Sequence, residues 1–379
     1  MRRIWKLRWR WVALTAVILL TGVGIDGCRA TGARAKGARL ERMQHSPAWK
    51  DGHFVNPQPI QNHMVRAMKE MFQASPYASP KPGEIVPRVP SFDAPGELFV
   101  TWFGHSSALI EMEGQRLLLD PIWGERASPV SWAGPKRWFS APIAIDGLGR
   151  IDWVLISHDH YDHLDMATVD ALRGTSARFV VPLGLGAHLE SWGIPAGRIV
   201  ELDWWESVRS EAMTITLTPS RHASGRIGLD KDATLWGGFA MKGARRSVYY
   251  SGDTGLFPAM RDIGEKLGPF DVTLIEVGQY NAAWSDWHIG PEQALLAHRM
   301  VRGGVMLPVH WGLFQLSLHG WTEPVERTVA AAKTMGVPLL TPRPGERISP
   351  LNQAISERWW PEVPWQTAAE APIVSSQLE

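Results

Sequence analysis

One cysteine, Cys28, occurs in 379 residues, which excludes an intramolecular disulfide framework and any Cys-rich zinc module. A metal, if one is bound, has to be held by imidazole and carboxylate groups. Charge of one sign is missing as well: 39 Lys+Arg face 38 Asp+Glu, a formal net charge of +1. No strong global field therefore selects nucleic acid as a partner. Long hydrophobic runs are scarce, and the apolar stretch 11–25 is short for a membrane span. What is present is ordinary for a globular chain, 45% apolar and 20% charged residues. The length suits one large domain or two small ones. The 20 Trp stand out; they suit either a large aromatic core or an apolar substrate or membrane surface.

Residues 1–28 read as an export leader. Arg2, Arg3, Lys6, Arg8 and Arg10 precede the apolar stretch, and small residues then lead to Gly27-Cys28. That ending resembles a bacterial lipoprotein cleavage box, although Asp26 suits it poorly; an uncleaved anchor and ordinary cleavage are the other readings. The expected location is the bacterial cell envelope, with a membrane surface as a partner. Residues 29–95 read as a basic tether followed by a proline-rich arm with one helix over 61–72. Residues 96–349 form the main domain, and 350–379 a docked or loose tail.

Within the main domain, strands are expected at 98–103, 108–112, 115–119, 153–156, 179–181, 213–217, 235–241, 247–250, 272–277 and 305–309. Helices are expected at 166–173, 258–267, 291–301 and 323–335. Early hairpins followed by strand–helix alternation predict an α/β fold of two packed sheets with helices outside.

The chemical signal is Ser157-His158-Asp159-His160-Tyr161-Asp162-His163-Leu164-Asp165, directly after an apolar strand. Histidines at i and i+2 cannot share a helix face, but in an extended loop they can point to one side and hold one ion. Three His and three Asp within eight residues have no comparable structural use. His222, Asp253 and His310 each follow a later apolar strand, where sheet-borne sites collect.

This pattern resembles the metallo-β-lactamase superfamily. The resemblance implies a four-layer αβ/βα sandwich, two mixed β-sheets with helices on the outer faces. It implies that His158, His160 and His222 hold one metal, that Asp162, His163 and His310 hold another, and that Asp253 bridges. Two Zn2+ are the expected cofactors, and iron or manganese can occupy similar ligands. His105 and Asp120 are expected to orient the ligands; their alternative is a plain turn His and a plain turn Asp.

Stretches such as Asp51-Gly52-His53-Phe54-Val55-Asn56-Pro57, Gly134-Pro135-Lys136-Arg137 and Glu201-Leu202-Asp203-Trp204-Trp205-Glu206 resemble N-acylphosphatidylethanolamine-hydrolysing phospholipase D. The implied reaction is phosphodiester hydrolysis of a phospholipid substrate to N-acylethanolamine and phosphatidic acid through a metal-bridging hydroxide. Asp162, Asp253 and His288 are the expected catalytic residues. His288 is read as a substrate contact or proton donor, or else as an exposed loop His; His319 is a weaker candidate. Tyr280, Trp284, Trp287, Leu313, Phe314 and Leu316 are expected either to receive acyl chains or to pack the loops. Rival readings are a lactonase or small-phosphodiester hydrolase on the same site, an RNA-processing enzyme, a β-lactamase, and an exported lipid-binding protein without catalysis.

Overall fold

The computed structural model describes residues 27–70, 74–92, 96–352 and 358–376. The leader expected over 1–28 lies almost wholly outside them. Among the described residues, no helix is long and apolar enough to cross a membrane.

A small hairpin, β1 (Trp49–Lys50) with β2 (His53–Phe54), precedes two larger sheets. The first sheet contains β3 (Leu98–Gly104), β4 (Ser107–Met112), β5 (Gln115–Leu119), β6 (Trp153–Leu155), β7 (Arg178–Pro182) and β8 (Ile199–Leu202). The second contains β9 (Ser207–Arg209), β10 (Met213–Thr218), β11 (Gly238–Gly243), β12 (Ser247–Tyr250), β13 (Phe270–Glu276) and β14 (Gly303–Val309) in reverse order across the sheet. A late strand, β15 (Arg347–Ile348), returns to pair with β3. Both sheets are mixed: β5 to β8 run parallel, as do β12 to β14, and the rest is antiparallel.

Period-2 alternation explains why these strands read as unbroken apolar runs. Ala108, Ile110, Leu117 and Leu119 turn to the core between the sheets, where they join Leu217, Phe239, Val248 and Leu274. Leu109 and Leu118 turn the other way, onto Val169, Leu172 and Leu189. Those three belong to helices over Met166–Leu172 and Gly186–Ser191. With both faces covered, neither face has to be polar. Each such Leu or Ile contributes about 1.5–3 kcal/mol by its burial.

The 166–173 helix is realised as Met166–Leu172, and the Asp165 side chain caps it by accepting from the Ala167 and Thr168 N–H groups. The 323–335 helix stands as Glu323–Met335 and stops at Gly336, whose φ of 66° is left-handed. The strand expected from 235 begins only at Gly238. Gly238 pairs with Thr218, and a Cβ on Gly237 or Gly238 would meet the carbonyl oxygens of Thr218 and Tyr250 at 2.4 and 2.5 Å, so the neighbouring strand ends approach too closely there for any side chain.

The stretch expected as a tether is docked instead. It holds a helix, Ala38–Gln44, which buries Met43. Arg39 pairs with Glu190 and Glu201 at 2.9 and 2.6 Å, and Arg42 with Glu206 at 2.6 Å. The arm helix covers Met64–Glu70, and the expected residues 71 and 72 lie outside the described ones. In the C-terminal segment, Trp359 stacks on Trp311 at 5.4 Å, and Trp311 on Trp102 at 5.1 Å. Much of the tryptophan content is therefore core.

Candidate metal centre

Strand ends from both sheets converge on one edge. The loop after β6 carries His158 to His163, the segment after β10 carries His222, and the turn after β12 carries Asp253. His310 follows β14, Asp120 follows β5, and His105 sits in the β3–β4 turn. His105, Asp120 and His310 have φ of 51°, 34° and 66°. Left-handed backbone at non-glycine residues costs of order 1–3 kcal/mol each and persists where packing over-determines it, commonly at functional sites.

Two clusters form. In the first, His158 Nε2 lies 2.9 Å from His160 Nδ1, and His222 Nε2 lies 3.3 Å from the same atom. In the second, Asp162 Oδ2 lies 3.4 Å from His163 Nε2 and 3.5 Å from His310 Nε2. Asp253 Oδ2 sits between them, 3.8 Å from both His158 Nε2 and His222 Nε2, 3.1 Å from His163 Nε2 and 3.0 Å from His310 Nε2.

These groups fit metal ions. Ligand atoms held at about 2.0–2.1 Å from one tetrahedral ion lie about 3.3 Å apart, close to the separations seen. The Nε2 atoms of His163 and His310 are buried without hydrogen-bond partners, a costly state for polar atoms unless something else occupies their lone pairs. The ligand atoms of each cluster lie within 4.8 Å of one another.

In His163 and His222 the opposite ring nitrogen is spoken for, which fixes the tautomer. His163 Nδ1 donates to Asp120 Oδ2 at 2.7 Å. Asp120 also accepts from the Ser157 N–H at 2.7 Å, the Ser157 hydroxyl at 2.5 Å and the Tyr250 hydroxyl. His222 Nδ1 donates to the Trp287 carbonyl at 3.0 Å. His105 Nε2 lies 2.9 Å from Asp162 Oδ2. Burial, helped by the neighbouring His310, pushes the His105 imidazole down to about 3, so this ring is neutral and donates to the carboxylate.

Several residues here have no counterpart in the sequence reading. Glu276, fully buried at the end of β13, accepts from the Thr254 and Ile289 N–H groups and faces His288 Nδ1 at 3.0 Å and His310 Nδ1 at 3.3 Å. A carboxylate ending an apolar strand was the available signal. Arg226 threads under the metal loop, donating to the carbonyls of Asp159 and Leu164 at 2.5 and 3.0 Å. It lies 3.9 Å from the centre of the Tyr161 ring. Asp159 turns away from the clusters, accepting from the Gly225 N–H and the Thr234 hydroxyl.

His288 is half-buried, 3.9 Å from Asp253 Oδ2. His319 is drawn into the structure: its Nε2 accepts from the Gln279 N–H and its Nδ1 donates to the Gly320 carbonyl, both at 2.9 Å. Of the apolar residues near His288, Tyr280, Leu313 and Phe314 are buried, while Trp284, Trp287 and Leu316 remain partly open.

Residues 115–311 match the Beta-lactamase superfamily domain. The chain is 44% identical over 344 residues to an uncharacterized protein of Mycobacterium tuberculosis, covering 87% of this chain and 91% of that one. It is 38% identical over 245 residues to N-acyl-phosphatidylethanolamine-hydrolyzing phospholipase D 1 of Caenorhabditis elegans, covering 61% and 68% respectively. Among solved structures, a metallo hydrolase of Ignicoccus hospitalis shares the fold with a TM-score of 0.53 at 24% identity, covering 66% of this chain and 97% of that one. The chain therefore belongs to the metallo-β-lactamase superfamily of metal-dependent hydrolases, within its N-acylphosphatidylethanolamine-hydrolysing phospholipase D-like branch.

Proposed function

We propose that the chain is a dinuclear zinc-dependent phosphodiesterase that hydrolyses N-acylphosphatidylethanolamine-type phospholipids to N-acylethanolamine and phosphatidic acid. The observation that carries this reading is Asp253 Oδ2, held 3.0–3.8 Å from ring nitrogens of both clusters. The relative in Caenorhabditis elegans, whose name states that activity, supports the substrate.

In this reading His158, His160 and His222 would hold one ion and Asp162, His163 and His310 the other, with Asp253 placed to serve both. When bound, such cations supply Lewis acidity toward a phosphoryl oxygen and bring the pKa of water toward neutrality. Asp120 and His105 keep the ligand rings and the Asp162 carboxylate aimed. Glu276 holds the proton on His288 Nδ1, which leaves His288 Nε2 as the atom that exchanges a proton with substrate. The fully buried Asp120, Ser157 and Tyr250 exclude water behind the centre.

The test is hydrolysis of N-acylphosphatidylethanolamine in mixed micelles by the leaderless protein, with metal content measured on the same sample. Products that vanish on chelation and return with zinc support the proposal. Asp253→Asn is expected to lose most turnover with the fold intact, and near-normal activity in that variant would sink the bridging role.

A second reading, hydrolysis of a lactone or smaller phosphodiester, is favoured by one feature: Tyr280, Leu313 and Phe314 are enclosed in the interior instead of offering acyl-chain surface. Turnover of soluble substrates with none on lipid would select it. We also propose, from the leader alone, that the protein works at the membrane surface of the cell envelope. Recovery in the soluble cytoplasmic fraction would overturn that.

A further inference from the structure

The residues that follow the leader are pinned to the body of the protein. The Arg29 carbonyl accepts from the Trp192 indole at 2.7 Å, and the Ala30 carbonyl accepts from Arg226 at 2.8 and 3.0 Å. The Ala33 N–H donates to His188 Nδ1 at 3.0 Å. The place where residues 1–26 join is therefore fixed. It lies at a cavity of about 370 Å³ lined by Gly27, Arg29, the 128–131 loop, Tyr161 and Arg226. Tyr161 stands between His160 and Asp162 in the metal loop.

Each flank of this cavity carries an exposed apolar tip. Trp132, 67% exposed, follows Ser131; Ile227 and Leu229, 46% and 85% exposed, follow Arg226. Both tips are braced from within. Arg126 donates to the carbonyls of Ser131 and Gly134 at 2.9 and 2.6 Å. The buried Asp230 accepts from the N–H groups of Arg226 and Ile227 at 3.0 and 2.9 Å, and Gly228 makes the turn with a φ of 74°. A single exposed apolar side chain needs no explanation, but three large ones on two braced loops around one point mark a surface that something covers. Exposed basic groups stand beside them: Arg34, which donates to the Leu229 carbonyl at 2.8 Å, Lys36 and Lys231. The acidic residues of the cavity are engaged, Glu125 with Lys136 at 2.6 Å, Asp170 with Arg29 at 3.8 Å and Asp165 as a helix cap.

We propose that these two tips form a docking face for an anionic lipid bilayer, with Trp132 at the level of the head groups and Ile227 and Leu229 among the upper acyl chains. The proposal rests on the reading of the protein as working at a membrane surface, and it names the face that meets the lipid. Residues 11–25 are short for a membrane span, and a single acyl chain at the leader's end binds only marginally, so either anchor calls for a second contact. Tryptophan favours the membrane interface, and basic side chains beside it are drawn to anionic head groups. An anchor that ends at Gly27 brings both tips to the bilayer, and through Tyr161 it sets the metal loop beside the lipid.

The experiment uses the full chain carrying Cys28→Ser, which removes the one native thiol, reconstituted with vesicles of phosphatidylglycerol and phosphatidylethanolamine. An environment-sensitive fluorophore is attached through Trp132→Cys, through Leu229→Cys or, as the control, through Leu296→Cys. Leu296 is 43% exposed on the helix Pro291–Met300, which packs on β13 and β14 of the second sheet. Residues 29–33 lie instead against the helix Gly186–Ser191 and Trp192, on the side of the first sheet. Labels at 132 and 229 are expected to shift to shorter wavelength and to be quenched by lipids bearing a nitroxide near the head group, and the label at 296 to do neither. Equal quenching at all three positions, or none at 132 and 229 in protein that floats with the vesicles, overturns the face and leaves the membrane reading standing. Protein that does not float with the vesicles overturns both. A shift without nitroxide quenching means that a second copy of the chain covers the tips, and it overturns the bilayer as the occupant. Because the readout needs no turnover, quenching at both tips in a protein that cleaves no phospholipid supports the face and counts against the phospholipase reading.

Discussion

Asp120 receives four donors and gives none: the Ser157 N–H and hydroxyl, the His163 ring and the Tyr250 hydroxyl. Asp120→Asn keeps the volume but turns an amide NH2 into that ring of donors, so the His163 ring loses its anchor. Metal affinity is expected to fall about 10–100-fold with little change in fold, measured by competition with a chromogenic chelator; an unchanged affinity would refute the orienting role. A second residue acts far from the metals. His298 is buried with Nδ1 2.7 Å from the Thr273 hydroxyl, and burial, with Arg299 beside it, pushes its imidazole down to about 4. Below pH 6.5 the unfolded chain takes up a proton that the folded chain refuses. Stability therefore falls as pH drops from 6.5 toward 4 and levels off below, by about 2 kcal/mol at pH 5. His298→Gln should lose less stability between pH 7 and pH 5 than the parent in urea unfolding, and an equal loss would refute this. The metal loop was legible at this scale because three His so close together after an apolar strand have no comparable structural use, although Asp159 and Asp165 of the same run serve the fold. Glu276 was not, because its partners His288 and His310 meet it only after the chain has folded.

Between elements, one buried ion pair ties two segments, the arm and the C-terminal one, to the metal loops. Arg221 and Asp286, with side chains 0% and 1% exposed, pair at 2.9 Å. Arg221 also donates to the Pro59 carbonyl of the arm and the Ser376 carbonyl of the C-terminal segment. Asp286 accepts from the N–H groups of Gln61 and Ser376. Since Arg221 precedes His222 and Asp286 precedes Trp287-His288, the clamp sets where two site histidines stand. Asp286→Ala leaves a buried guanidinium unpaired and is expected to cost about 3–5 kcal/mol, read as a drop in the unfolding midpoint. Asp286→Asn, which also removes the charge but keeps an acceptor for one of the two N–H groups, should cost less; equal losses would mean that the retained acceptor adds nothing and the lost charge carries the whole effect. Strands and long helices were legible from periodicity, as Glu323–Met335 shows. The places where the arm and the Trp359–Trp360 segment dock, and the Ala38–Gln44 helix, were not. Their positions are set by contacts with residues far along the chain, such as Arg39 with Glu201 and Trp359 with Trp311, and local pattern carries no trace of these.

At the scale of the molecule, the two sheets bring ligand atoms from separate strands to one edge, and the same convergence creates a liability. Without ions, His158, His163, His222, His310, Asp120 and Asp253 are packed together at 2% exposure or less, and burial penalises every charged form among them. The two-sheet architecture could be inferred from early hairpins followed by strand–helix alternation. The pairing of β15 with β3 could not, because a two-residue strand carries no periodicity. If ions hold this edge, their binding free energy is also folding free energy. An ion present at a thousandfold its dissociation constant adds about 4 kcal/mol, and for a chain of this size each kcal/mol moves the midpoint by about 2 °C or somewhat less. Calorimetry of the metal-loaded protein with and without chelator should therefore show a drop of roughly 5–10 °C, reversed by added zinc. Asp253→Asn, which weakens both sites at once, should shrink that difference well below the parent's. Identical transitions with and without chelator in the parent would mean that the folded edge balances its own charges, and the two-ion reading would fail on stability before any substrate was tried.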